Sequence, residues 1–350
     1  MSIPSNLIDF VVNQGHGVKG LSDLGIQAVP NQYIQPLEQR FDNRKVVTKE
    51  SIPVIDIKNW DDPYVAESIS NAAIKWGFFQ IVNHGIPMKV IENLKASVHR
   101  FFELPAEEKK HIKENSPSEV VRLATSFSPH AESVLEWKDY LQLVYASEEQ
   151  IQAYWPAICK EQSLEYMKHA EVLIRRLLNV LLKGLNIKQM DNEREYALMG
   201  AMILDFNYYP PCPDAEVVAG VGRHSDISSI TVLLQDEIGG LYVRASDGDN
   251  WIFVPPVDGA LVINIGDVLQ IMSNDRYKST EHQAVANKAK TRISIPIFVN
   301  PAPNAVIGPL PEVLEEGEEP KYKQVVYSDY FKYFFSKPHD GKKTIEFARI

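Results

Sequence analysis

Cysteine is scarce: the 350 residues hold only Cys159 and Cys212. Two thiols cannot build a disulfide framework, and without a CxxC pair there is no cradle for structural zinc or an iron-sulfur cluster. A reducing compartment is expected, the cytosol first, and Cys212, set between prolines, is expected to be packed rather than reactive. Positive charge is also in deficit. The 36 Lys and Arg face 46 Asp and Glu, for a formal net charge of −10, which excludes a general electrostatic grip on nucleic acid or anionic membrane. Any anionic ligand must therefore be met by a local basic group. Long apolar runs are missing too, so no membrane span is expected. The first twenty residues carry Asp9, Lys19 and only Phe10-Val11-Val12 as an apolar stretch, so neither a secretory core nor a transit peptide is expected. Repeats and low-complexity tracts are absent, and the acidic Glu315-Glu316-Gly317-Glu318-Glu319 reads as a solvated loop.

A hydrophobic share of 45% can fill a sizeable core. From residue 1 to about 50 no period is sustained, and glycines and prolines suggest an arm laid over the rest. Ile52-Pro53-Val54-Ile55-Asp56-Ile57 has the alternation of a short strand, with Pro53 suited to an edge. Val65, Ile69, Ala72, Ala73 and Trp76 fall at helical spacing, Gly77 closes that helix, and Phe78-Phe79-Gln80-Ile81-Val82 reads as a buried strand. Helical runs follow over Val90 to Phe102 and over Leu164 to Gly184. After about Ala201 the texture changes to short Val- and Ile-rich runs between turn residues, such as Ile230-Thr231-Val232-Leu233-Leu234 and Leu261-Val262-Ile263-Asn264-Ile265. Such spacing predicts a mainly β fold with flanking helices, its core a jelly roll or barrel. The division is a helix-rich region 1–195, a strand-rich core 196–302 and an extension 303–350. In that extension Tyr327, Tyr330, Phe331, Tyr333, Phe334 and Phe335 are spaced as an amphipathic helix, expected to pack beneath the barrel.

Most of the nine histidines call for no explanation beyond packing or surface position. His224-Ser225-Asp226 is different. Residues two apart on a strand share a face, so His224 and Asp226 can bind one metal ion together, and His282, 56 residues beyond Asp226, can complete the set. Two imidazoles and a carboxylate fill half an octahedral shell and leave Fe(II) open to a chelating 2-oxo acid and O2. Arg292 and Ser294, also sharing a face, can grip a far carboxylate, the guanidinium supplying a fixed fork of donors. Asn207 and Tyr209, two apart on one face, add a donor near the metal-bound end and a phenolic hydroxyl. A catalytic zinc site can also hold two His and one Asp, but hydrolysis has no use for the Arg292/Ser294 clamp.

These residues stand among Pro53-Val54-Ile55-Asp56, Trp76-Gly77-Phe78-Phe79-Gln80-Ile81-Val82-Asn83-His84-Gly85, Asn207-Tyr208-Tyr209-Pro210-Pro211-Cys212-Pro213, Gly239-Gly240-Leu241, Ile265-Gly266-Asp267 and Arg292-Ile293-Ser294. With them the chain resembles the plant-type 2-oxoglutarate- and Fe(II)-dependent dioxygenases over nearly its whole length. The resemblance implies a distorted double-stranded β-helix core, His224, Asp226 and His282 on iron, and Arg292, Ser294 and Tyr209 on 2-oxoglutarate. It also implies O2 as the oxidant, with ascorbate as a supporting reductant, and decarboxylation of 2-oxoglutarate to succinate and carbon dioxide coupled to substrate oxidation.

Within that family the tracts Gly15-His16-Gly17-Val18-Lys19-Gly20, Tyr33-Ile34-Gln35-Pro36, Thr125-Ser126-Phe127, Glu136-Trp137-Lys138-Asp139-Tyr140 and His339-Asp340-Gly341 are similar to the feruloyl-CoA and 4-coumaroyl-CoA ortho-hydroxylases of coumarin biosynthesis. This implies hydroxylation of a hydroxycinnamoyl thioester ortho to its side chain, leading to scopoletin or umbelliferone. The alternative is a hydroxylase of free scopoletin, or a hydroxylase or demethylase of another small aromatic or alkaloid. Phe298, on the face of Arg292 and Ser294 by parity, and Phe127 are candidates to stack on the ring, and Arg122 and Lys138 to meet CoA phosphates. Asp205 departs from the neutral polar residue of the related hydroxylases, and alternation puts it on the Asn207 face, where an anionic thioester is less comfortable. A monomer with a small-molecule partner is expected, with no nucleic acid and no membrane.

Overall fold

The computed structural model describes residues 4–127, 132–245, 248–339 and 341–350. Residues 1–3 of the expected arm and Asp340 of the C-terminal tract lie outside the described residues. An eight-stranded sheet forms the centre, in the spatial order β2 (Val54–Asp56), β3 (Phe78–Val82), β11 (Leu261–Ile265), β8 (Ile230–Gln235), β13 (Arg292–Asn300), β6 (Ala201–Tyr209), β5 (Asp139–Val144), β4 (Val121–Thr125). A second sheet runs β1 (Val46–Val47), β10 (Trp251–Phe253), β9 (Leu241–Arg244), β12 (His282–Ala284), β7 (Val221–His224). Leu241 and Val243 of the second sheet pack on Phe78, Leu233 and Val262 of the first. Two antiparallel-rich sheets closing over one core make the expected jelly roll.

The apolar runs keep both faces covered. Every residue of β8 and of β11 is buried, which is why both read as unbroken runs. Outside the large sheet, the helices Pro63–Lys75, Met88–Phe102 and Ala157–Gly184 bury Ile69, Leu94, Leu177 and their neighbours in the main core. The first carries the expected spacing from Val65 to Trp76 at its C-cap and starts at a cap: Asp62 accepts a hydrogen bond from the Tyr64 amide, and Pro63 stands at the first position. It ends at Gly77, whose φ is +65° and where a Cβ would lie 2.1 Å from the Lys278 carbonyl oxygen. Pro53 precedes β2, an edge strand as expected.

Three readings change. Strands β4 and β5 add a hairpin inside the region expected to be helix-rich; Arg122 within β4 and the buried Lys138 and Asp139 at the start of β5 interrupt the apolar pattern. The arm is anchored more firmly than its composition suggests: Gly17–Asp23 is helical, and Leu7, Val11, Val18, Leu21 and Tyr33 pack with Trp137 and Cys212. Asp226 lies just beyond the end of β7 rather than within an extended strand. The acidic tract is the expected exposed loop, with Glu318 2.7 Å from Arg276 and accepting from Asn274 at 2.8 Å. Cys159 and Cys212 are both buried and free, and no helix among the described residues is long and apolar enough to cross a membrane.

Candidate active site

β12 and β7 pair antiparallel with His282 directly opposite His224, so two residues 58 positions apart (282 − 224) become cross-strand neighbours with ring centroids 4.3 Å apart. Asp226 Oδ1 lies 3.4 Å from His224 Nε2 and 3.6 Å from His282 Nε2. The three ligand atoms fall within 4.8 Å of one another, the separation at which one ion can be shared.

Each donor is held from behind. His224 Nδ1 lies 2.8 Å from the Gly222 carbonyl and His282 Nδ1 3.1 Å from the Thr280 carbonyl, which makes Nδ1 the protonated nitrogen and turns both Nε2 lone pairs to the centre. Asp226 Oδ2 accepts from Thr231 Oγ1 at 2.6 Å and Asn264 Nδ2 at 2.8 Å, leaving Oδ1 for the metal side. Burial raises the Asp226 carboxyl, but His282, His224 and Thr231 outweigh it and hold it well below the ordinary carboxylate range. Burial, followed by His224, pushes His282 down to about 4. At neutral pH the cluster is thus a neutral imidazole and a carboxylate beside a second histidine, a donor set that suits Fe(II). Thr231 and Asn264 were missed in the sequence; their signal is that both sit on the inner face of adjacent strands, directly opposite each other.

Farther along β13, Arg292 pairs with Tyr209 and Ser294 with Asn207 across β6. The Tyr209 hydroxyl lies 3.4 Å from Ser294 Oγ, and the Arg292 guanidinium sits 4.7 Å from the centre of the Tyr209 ring. Arg292 is 1% exposed, yet its Nε and Nη1 have no hydrogen-bond partner among the described residues. A buried guanidinium with free donors is costly unless an anion completes it, so the residues fit a dicarboxylate as well as they fit the metal. Asn207 faces the same pocket, while Tyr208, of opposite parity, points away and stacks on Phe102 at 4.7 Å.

One pocket joins these groups, with about 1160 Å³ of space between its walls including the part open to solvent. Phe298 and Phe127 both line it, as do Arg122, Lys138 and Asp205. The sequence reading of the C-terminal helix Tyr327–Phe335 needs correction: Tyr327 and Tyr330 are buried packing residues, but Phe331, Phe334 and Phe335 line the pocket. Phe335 stacks on Phe127 at 5.1 Å. A helix with one aromatic face on the core and another on a cavity has the same periodicity as one that only packs, so spacing could not separate the two.

Glu136 ties that closure to the metal end. Its Oε1 accepts from the Gly222 amide at 2.7 Å and lies 2.8 Å from His339 Nδ1, and the His339 ring stacks on His224 at 4.6 Å. Lys138 Nζ lies 3.3 Å from Glu136 Oε2. Burial raises the Glu136 carboxyl, and Lys138 and His339 more than reverse it. Lys138, which lines the pocket, is therefore engaged by the buried Glu136 carboxylate.

A jelly roll carrying two histidines and a carboxylate within reach of one ion, with a buried arginine free to take a carboxylate, defines a non-haem iron oxygenase that consumes a 2-oxo acid. The chain belongs to the 2OG-Fe(II) oxygenase superfamily, whose family model matches residues 200–301, while residues 52–164 match the model for the non-haem dioxygenase in morphine synthesis N-terminal region. It is a 2-oxoglutarate-dependent dioxygenase. It is similar to feruloyl CoA ortho-hydroxylase 1 of Arabidopsis thaliana, 57% identical with 100% of this chain and 97% of that one covered. It is equally similar to the bi-functional coumaroyl CoA and feruloyl CoA ortho-hydroxylase Diox4 of Ruta graveolens, at 57% identity over 97% of this chain and 94% of the relative. The crystal structure of JOX2 in complex with 2OG, Fe and JA superposes with a TM-score of 0.83 at 30% identity, covering 95% of this chain and 97% of that one.

Proposed function

We propose that the protein hydroxylates the ring of feruloyl-CoA, 4-coumaroyl-CoA or both, ortho to the side chain, giving products that close to coumarins such as scopoletin or umbelliferone. The observation that carries this reading is 57% identity, along the full chain, to ortho-hydroxylases of those thioesters. In this reading residues 196–302 carry iron and cosubstrate, 1–195 supply the outer wall, 303–350 close the pocket, and the enzyme works as a cytosolic monomer.

His224 and His282, through Nε2, and Asp226, through Oδ1, would hold Fe(II). Arg292, with Ser294 and Tyr209, takes the far carboxylate of 2-oxoglutarate, a bidentate geometry that fixes its direction, and Asn207 bonds near the metal-bound end. Iron with 2-oxoglutarate and O2 supplies the oxidising chemistry, releasing succinate and carbon dioxide. The chain's own contribution is position and dryness. Phe298 and Phe127 flank the planar ring, and Phe331, Phe334 and Phe335 exclude water over it. Arg122, which borders both this pocket and an edge cleft bearing Lys109, Lys110 and Lys113, is placed to meet the anionic CoA end.

Purified enzyme with Fe(II), 2-oxoglutarate and ascorbate is assayed against feruloyl-CoA, 4-coumaroyl-CoA, free ferulate and scopoletin. Ortho-hydroxylated product from a thioester is the expected result; product from scopoletin alone removes the thioester reading.

A further inference from the structure

The pocket floor holds a carboxyl group that the iron and cosubstrate roles leave unused. Gln142 pairs with Asp205 and Arg122 with Gln142 across β6, β5 and β4. The unbroken register from Ser294↔Asn207 to Ile297↔Leu204 sets Pro296 opposite Asp205, and Leu233 pairs with Pro296. All five side chains line the pocket. This rung lies between the one bearing Ser294 and Asn207 and the one bearing Thr231 and Phe298, hence between the carboxylate clamp and the metal cluster.

Asp205 is 7% exposed, and its Oδ1 has no hydrogen-bond partner among the described residues. A buried acceptor of that kind rewards any ligand donor that reaches it. Depth decides which donor does. Arg122, Gln142, Ile203 and Phe298 are partly exposed and mark the mouth, whereas Asp205, Asn207 and Arg292 are buried within. With the anionic CoA end at the mouth beside Arg122, the group travelling inward ahead of the ring is the hydroxyl para to the side chain. Spacing agrees. From Thr231, which holds Asp226, to Asp205 is two strands and two residues, roughly 12 Å between Cα atoms at about 4.8 Å per strand and about 3.3 Å per residue, with room for one ring between.

We propose that Asp205 is a specificity-determining residue whose Oδ1 accepts a hydrogen bond from the phenolic hydroxyl of the substrate ring, selecting ring-hydroxylated thioesters over those without the hydroxyl. The inference rests on the thioester reading above. Burial pushes the Asp205 carboxyl up to about 7, which reduces the negative charge that an anionic thioester meets on entry.

The test compares kcat/KM for 4-coumaroyl-CoA and for cinnamoyl-CoA, which lacks the hydroxyl, in the wild type, Asp205→Leu and Asp205→Asn. Because each ratio is taken within one preparation, a partly folded variant does not distort it. The wild type is expected to favour 4-coumaroyl-CoA by about 10–100-fold. Asp205→Leu should bring the ratio to within about threefold, and Asp205→Asn, which keeps an acceptor oxygen, should restore much of it. Equal ratios in the wild type and Asp205→Leu overturn the Asp205 assignment while leaving the substrate class intact. A wild type that turns over neither these thioesters nor feruloyl-CoA overturns the substrate reading itself.

Discussion

Arg292 is buried with two guanidinium nitrogens unpaired among the described residues, so its interaction energy waits for a ligand. Replacing it with Ala removes a bidentate, charge-assisted contact worth about 1.5–3 kcal/mol. The KM for 2-oxoglutarate in Arg292→Ala is expected to rise by roughly 10–100-fold, read from succinate release against cosubstrate concentration; an unaltered saturation curve contradicts the assignment. Asp205 makes a different prediction, in pH. Its carboxyl is raised by burial from 3.8 to about 7, so the folded chain binds this proton more tightly than the unfolded chain. Stability from this group is present below about pH 4 and is lost as pH rises through about 7. Asp205→Asn removes that loss. Its melting temperature relative to wild type should climb steadily between pH 5 and pH 8, and a difference that stays flat across that window rejects the buried titration.

At the scale of elements, the helix Pro63–Lys75 and strand β3 meet at a corner that only glycine turns. Gly77 has φ +65° and no room for a Cβ against the Lys278 carbonyl. The strain and the clash together make Gly77→Ala destabilising by more than about 1–2 kcal/mol, measurable as a lower midpoint in urea; an unchanged midpoint refutes the steric account. Sequence gave this corner away because glycine after a helical run has few other meanings. The helix Gly17–Asp23 was not legible, and the reason is physical: the Asp139 carboxylate accepts from the Val18 and Lys19 amides at 2.8 Å each. Its cap is supplied 120 residues downstream, beyond the reach of any local pattern.

Across the whole molecule, the candidate metal and cosubstrate residues come from both sheets, so ligands bound there should stabilise the fold as a unit. A ligand that binds only the folded chain contributes about 2.7 kcal/mol at 100 times its Kd. Anaerobic Fe(II) is expected to raise the melting temperature of the wild type, and 2-oxoglutarate to raise it further. Asp226→Ala should lose both increments and its turnover, and Arg292→Ala only the second. A full iron increment in Asp226→Ala would show that the ion binds elsewhere.

The candidate carboxylate clamp could be named from the chain alone because strand parity is a local rule: Arg292 and Ser294, like Asn207 and Tyr209, share a face wherever their strands lie, whereas His224 and Asp226 come together although Asp226 lies past the end of its strand. The short, unbroken apolar runs likewise declared a buried sheet before its order was known. Tertiary structure decided what parity cannot reach. Register set His282 against His224, brought Thr231 and Asn264 behind Asp226, and lined up Asp205 with Gln142 and Arg122. It also turned one face of the C-terminal helix onto the pocket. Those contacts join residues far apart in sequence, and nothing in a strand's own alternation specifies which partner it will meet.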